Sequence, residues 1–250
     1  MKRNLFFVLG VFILLALMAA GCSSNSASDV VSIASDATYP PFESVDDKTK
    51  EIVGFDIDLI NAIADKADMK IEIVNVPFDS VLAGLQTCQY DLGLSSITIT
   101  EERKQNFLFS DPYINAGQII TVQAANTDIT TTADLTGKRL AAQLGTTGEI
   151  EAKKFSPDLY KPYDSVDLAF LDLQNGQIDA VITDYPTSAN FVSKSGAALK
   201  MVGEPFTSES YGIAICKTKP ELQTKINAAL KTLIDDGTVE SLTKKWLAVE

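Results

Sequence analysis

The chain has 250 residues, 33 acidic and 21 basic, for a net charge of −12, and it contains no histidine. Such acidity argues against a nucleic-acid partner, which needs clustered Lys and Arg against phosphate. The missing histidine removes Ser-His-Asp and Cys-His catalysis and the commonest zinc ligand, so no metal and no cofactor is expected.

In chain order, the basic start Met1-Lys2-Arg3 leads into an apolar run, Leu5 to Leu17, and then the small residues Ala19-Ala20-Gly21. This is the layout of a signal peptide over residues 1–21. The run is shorter than the roughly 20 residues that cross a bilayer. MAAGCSS resembles the lipobox of bacterial lipoproteins, with Ala19 where that motif usually has leucine. Cys22 is therefore expected to be acylated, holding an exported protein at the outer face of the cytoplasmic membrane. Residues 22–29, rich in serine, read as a flexible tether. Without Lys2 and Arg3 the rest of the chain has 19 basic and 33 acidic residues, a net charge of −14.

Val30–Ala34 reads as a strand ending at Asp36, and Asp56 as the cap of a helix carrying Leu59, Ile60, Ile63, Ala64 and Ala67 at helical spacing. Ile71–Val76 is the next strand, Asp79 caps a helix with Val81, Leu82 and Leu85, and Asp91–Ser95 is a strand. Ser95–Thr100 alternates polar and β-branched residues, like a strand leaving a core. Thr100 then reads as a helix N-cap, and Glu101 and Glu102 suit the first turn. Arg103 stands where a capping box would place Glu or Gln, a cation at the positive end of the dipole. Local helix physics does not explain that residue.

Farther on, Lys138–Gln143 is a strand, Gly145–Glu149 a turn into a helix, Asp167–Gln174 a helix, and Ala180–Ile182 a strand ending at Thr183-Asp184. Glu221–Ile234 and Thr238–Leu247 are helices separated by Asp235-Asp236-Gly237. LQTCQYDLGLS (85–95) and LQNGQIDAVIT (173–183) share both Leu-Gln pairs, Gln89 with Gln177, and Asp91 with Asp179. Strand and helix alternate in both halves, so the class is α/β with parallel strands in two similarly built lobes. For Cys88 and Cys216, a disulfide and two buried free thiols are both consistent with an exported chain.

Ligands of such sheets sit outside the carboxyl ends of the strands. Here those ends hold Asp36, Ser95, Ser96, the Gly145-Thr146-Thr147 turn and Asp184. An arginine beside the hydroxyls of Ser95, Ser96 and Thr98 can take a carboxylate through two parallel bonds. A helix start at LGTTGE supports the same anion. Asp184 would take an ammonium, and Tyr39 and Phe78 could sandwich a side chain. Together these groups describe an α-amino acid zwitterion.

At DATYPPFE, GFDIDL, SSITITEERK, FSDPY, QLGTTGE, DAVITD and GTVESLTKKW the chain resembles the extracellular solute-binding proteins of polar amino-acid ABC importers, from about Val30 to the C-terminus. The resemblance implies a two-lobed, periplasmic-binding-protein-like fold of type II with two crossover hinge strands. Lobe 1 would comprise residues 30–114 and 212–250, and lobe 2 residues 115–211, with hinges near Tyr113–Gly117 and Thr207–Tyr211. It implies that Arg103, Thr98 and the Thr147 amide hold an α-carboxylate, and that Asp184, Ser96 and Thr98 hold the α-ammonium. Tyr39 and Phe78 would stack on the side chain, and Asp36, Ser95 and Gln143 would meet its end. The implied protein is a monomeric binding component, not an enzyme, that delivers a polar amino acid to a membrane permease. A basic amino acid (arginine, lysine or histidine) is favoured, because a buried carboxylate at Asp36 is best matched by a cation. Glutamine, or an exported enzyme resembling cyclohexadienyl dehydratase on the same fold, are the alternatives.

Overall fold

The computed structural model describes residues 30–247. β1 (Val30–Ser35) begins half-buried and is sealed from Ile33 onward, so its carboxyl end lies in the core. The short strands β2 (Thr38–Tyr39), β3 (Glu43–Val45) and β4 (Ile52–Val53) pair antiparallel as a small separate sheet. α1 (Phe55–Lys66) turns Phe55, Leu59, Ile60 and Ile63 inward, one face of a helix. Then come β5 (Lys70–Asn75), α2 (Phe78–Gln86), β6 (Leu92–Gly93), α3 (Glu101–Lys104) and β7 (Phe107–Phe109).

β8 (Ile114–Ala116) carries the chain across to a second sheet. That lobe comprises β9 (Gln118–Gln123), β10 (Leu140–Gln143), α4 (Thr147–Phe155), β11 (Tyr160–Tyr163), α5 (Val166–Gln174), β12 (Ala180–Asp184), α6 (Tyr185–Lys194) and β13 (Leu199–Val202). β14 (Glu209–Tyr211) returns antiparallel to β8, and the two form their own two-stranded sheet. β15 (Ala214–Cys216), α7 (Pro220–Asp235) and α8 (Thr238–Leu247) complete the first lobe.

The first sheet has the order β5-β1-β6-β15-β7 and the second β11-β10-β12-β9-β13. In each, three strands are parallel: β5, β1 and β6, and β11, β10 and β12. The other strands correct the all-parallel expectation, because β15 and β9 run antiparallel to their neighbours. β9 follows β8 and β15 follows β14, so each enters its sheet from the crossover. A parallel partner would first need a helical return.

Three local expectations are also corrected. Neither Asp56 nor Asp79 is a cap: α1 starts after Gly54 and α2 after Pro77, which leaves both acids inside the first turn. At Gly54, φ is +143° and a Cβ would run into the Phe42 carbonyl. Only glycine fits that start. Ser95–Thr100 is not a strand either. Ser96 has a φ of +50° and turns the chain, leaving one β-bridge, Thr98 to Tyr211.

Below the crossovers, Phe42 packs edge-on to Tyr211 at a centroid distance of 5.2 Å and to Phe55 at 5.9 Å, while Phe55 stacks on Tyr113 at 6.0 Å. Tyr113 precedes β8 and Tyr211 closes β14, so an aromatic cluster packs beneath the two crossover strands. Cys88 and Cys216 form a disulfide with Cα atoms 5.2 Å apart, tying the turn after α2 to the end of β15. Among the described residues, no helix is long and apolar enough to cross a membrane.

Candidate functional site

The carboxyl ends of the two sheets face each other across a narrow, nearly filled cleft. Its walls are Tyr39, Phe78, Ser95, Ser96, Thr98 and Arg103 from the first lobe, and Gln143, Thr146, Thr147 and Asp184 from the second. Nine of the ten candidate residues read from the sequence are in that set, with Thr146 added. Asp36, the tenth, adjoins it through Gln143, whose Nε2 donates to Asp36 Oδ2 at 2.5 Å.

The arginine that α3 could not explain is directed away from its helix. Thr100 caps α3 by accepting from the Arg103 amide at 3.1 Å. The side chain folds back instead, so that Nη1 donates to the Thr98 carbonyl (2.8 Å) and Nη2 to the Gly145 carbonyl of the other lobe (3.0 Å). Its guanidinium lies 5.7 Å from the Phe78 ring centroid, a cation–π contact. Burial lowers its pKa, opposed by the charges of Asp184 and Glu209. Beside it, Thr146 caps α4 by accepting from the Glu149 amide, so the amino end of α4 opens on the same cleft.

Asp184 closes β12 and precedes α6. Its Oδ2 accepts from the Tyr39 hydroxyl at 2.5 Å and its Oδ1 from Gln118 Nε2 at 3.1 Å. Burial pushes its pKa up to about 6, and Glu209 adds to the rise. Tyr39 therefore reaches across the cleft, its hydroxyl also 2.6 Å from Thr183 Oγ1. That phenol is bound to Asp184 and Thr183, whereas the sequence suggested only side-chain stacking.

At the opposite end the acids gather. Asp36 is 3% exposed and accepts from the Phe78 amide, Thr38 Oγ1 and Gln143. Burial raises its pKa against the pull of those bonds. Ser95 Oγ accepts from the Asp36 amide and donates to Glu43 Oε1 at 3.1 Å, and Ser96 Oγ is 3.5 Å from the same oxygen. Asp56, freed from any cap role, accepts from the Ser96 amide and the Tyr113 hydroxyl, each at 2.9 Å. Glu43 and Asp56 are both fully buried, and Glu43 Oε2 and Asp56 Oδ1 have no hydrogen-bond partner among the described residues. Burial raises both carboxyls, Glu43 well above its usual range with the neighbouring Asp56 charge adding to the rise, and Asp56 to about 6.

Sequence reasoning missed Glu43, Gln118 and Glu209. Glu43 ends the DATYPPFE stretch, and Gln118 and Glu209 lie at the crossovers. No local pattern marked them: Glu209 stands between Ser208 and Ser210, Glu43 between Phe42 and Ser44, and Gln118 between Gly117 and Ile119. Several links run across the lobes: Tyr39 to Asp184 and Thr183, Gln143 to Asp36, Arg103 to the Gly145 carbonyl, and Thr98 Oγ1 to Thr147 Oγ1.

Residues 31–249 match the family model described as bacterial extracellular solute-binding proteins, family 3. The arginine-binding extracellular protein ArtP of Bacillus subtilis (strain 168) is 34% identical over 258 residues, covering all of both chains. A solved ancestral arginine-binding protein bound to arginine is 41% identical with a TM-score of 0.84, covering 88% of this chain and 99% of that one. The same kind of ancestral protein bound to glutamine is 41% identical with a TM-score of 0.83, at 87% and 97% coverage. A full-length match in sequence and a cleft between two α/β lobes converge: the chain belongs to family 3 of the bacterial extracellular solute-binding proteins.

Proposed function

We propose that the protein captures a basic L-amino acid, arginine foremost, between its lobes and delivers it unchanged to the permease of an ABC importer. The observation that carries this reading is the polarity of the cleft. Arg103 and the start of α4 suit a carboxylate, Asp184 suits an ammonium, and buried Asp36 at the far end suits a second cation. Closing the lobes on such a ligand joins partners from both sheets, so binding shifts the population toward the closed form. In this reading residues 30–114 with 212–250 move against residues 115–211 about β8 and β14, the protein acts as a monomer, and Cys22, outside the described residues, anchors it to the membrane.

Glutamine is the second reading, favoured by one contact: Asp36 already accepts from the side-chain amide of Gln143. Calorimetric titration of arginine, lysine, histidine and glutamine separates the two, run on the wild type and on Asp36→Asn. For a cationic ligand, Asp36→Asn weakens arginine and lysine strongly and glutamine little, because Asn keeps an acceptor and loses the compensating charge. Tight glutamine binding with no measurable arginine or lysine binding to the wild type would overturn the preferred ligand. Recovery of the bound compound chemically altered would overturn the non-enzymatic reading.

A further inference from the structure

Glu209 stands at the start of β14, and none of the roles above uses it. Its Oε2 accepts from Thr98 Oγ1 and from Thr147 Oγ1, both at 2.8 Å, and its Oε1 accepts from Thr207 Oγ1 at 2.7 Å. Thr98 belongs to the first lobe and Thr147 opens α4 in the second, and their hydroxyl oxygens are 3.4 Å apart. One carboxylate in the hinge therefore holds a hydroxyl from each lobe.

A threonine hydroxyl has a single proton to give. Once that proton points at Glu209, the oxygen offers only lone pairs to anything else. Thr147 Oγ1 already uses one, accepting from Gln118 Nε2 at 3.1 Å, and the same Nε2 donates to Asp184 Oδ1 at 3.1 Å. A continuous chain of bonds thus runs from Glu209 through Thr147 and Gln118 to Asp184. In consequence Thr98 Oγ1 meets a ligand as an acceptor, which suits an ammonium and not a carboxylate. The carboxylate is left to the Arg103 guanidinium and the start of α4.

We propose that Glu209 is a positioning residue for the ligand's α-ammonium: it turns the Thr98 and Thr147 hydroxyls into acceptors and places a second negative charge behind Asp184. Because the two hydroxyls come from different lobes, this arrangement forms only when the cleft is closed. Capture of the ammonium and closure are therefore coupled through one side chain. The inference rests on the amino-acid reading above.

The test compares arginine with arginine lacking its α-amino group, by calorimetry on the full mature chain. Glu209→Gln is nearly isosteric and still offers the hydroxyls an oxygen, but it removes the charge. It should lower arginine affinity by about ten- to a hundred-fold, the range of one charge-assisted hydrogen bond. The des-amino compound should lose little. Thr147→Val removes an oriented hydroxyl without touching β14 and should show the same selective loss, so the test does not depend on one variant folding. Equal losses for both compounds in both variants, with normal wild-type binding, overturn this inference alone. A wild type that binds no amino acid overturns the functional reading and this inference with it.

Discussion

Asp184 is costly to the empty fold, and replacing it with asparagine should stabilise the protein while destroying its binding. Its carboxyl titrates at about 6 in the native chain, against an ordinary 3.8, chiefly because it is buried. Between those values the folded protein binds more protons than the unfolded one, so stability falls as pH rises from about 4 to about 6 and stays lower above that. At about 1.4 kcal/mol per tenfold change in proton affinity, the ionised group costs about 3 kcal/mol near pH 7. Asparagine removes that cost and, with its oxygen toward Gln118, keeps the acceptor for Gln118 Nε2. Its Nδ2 then faces the Tyr39 hydroxyl, which can accept it while donating to Thr183 Oγ1. Deducting about 1–2 kcal/mol for the weakened hydrogen bonds, Asp184→Asn should be more stable by about 1–2 kcal/mol at pH 7 and no more stable at pH 4. Urea unfolding of both ligand-free proteins at the two pH values measures the difference. Asp56, also near 6, cancels because both proteins retain it. A variant less stable than the wild type at pH 7, or an advantage unchanged at pH 4, would refute the reasoning.

Two further outcomes test the rest of the site and its placement in the cell. Arg103→Ala should weaken every amino acid alike, by about 3–5 kcal/mol, since it leaves the ligand carboxylate without its partner; Arg103→Lys should also bind poorly for want of the guanidinium fork. Wild-type affinity in Arg103→Ala, measured by calorimetry, would remove the residue from the site. Cells given a labelled fatty acid should incorporate it into the wild-type protein but not into Cys22→Ala, and label in neither would leave the anchor without support.

Much of this molecule was legible because its elements follow strong local periods. The closing helix runs from Thr238 to Leu247 as read, and the α4 turn and the strand ending at Thr183-Asp184 stand where the pattern put them. The failures share a cause. An acid just before an apolar run has the same pattern whether it caps a helix or sits one turn inside it, and the deciding residues, Gly54 and Pro77, act through backbone shape. Ser95–Thr100 alternates like a strand, but Ser96 takes a positive φ because the Asp56 carboxylate, some 40 residues upstream, fixes its amide. Strand direction in β9 and β15 depends on the crossover geometry and not on composition. Glu209 escaped notice because its partners, Thr98 and Thr147, lie 111 and 62 residues away.

The same acids bear on ligand choice. The carboxyl groups of Asp36, Asp184, Glu209, Glu43 and Asp56 line or back a cleft whose walls hold one guanidinium, Arg103. Glutamine brings no net charge to that cleft, so the excess stays uncompensated when the lobes exclude water. Arginine or lysine brings one positive charge beyond its zwitterion, and the far end of the cleft, between Asp36 and the Ser95–Glu43 contact, is where that charge would lie. Desolvating unpaired carboxylates opposes closure, whereas desolvating them beside a cation favours it. On the proposed reading, closure itself would discriminate: a neutral ligand could occupy the open cleft, but a cationic one would gain most when the cleft shuts.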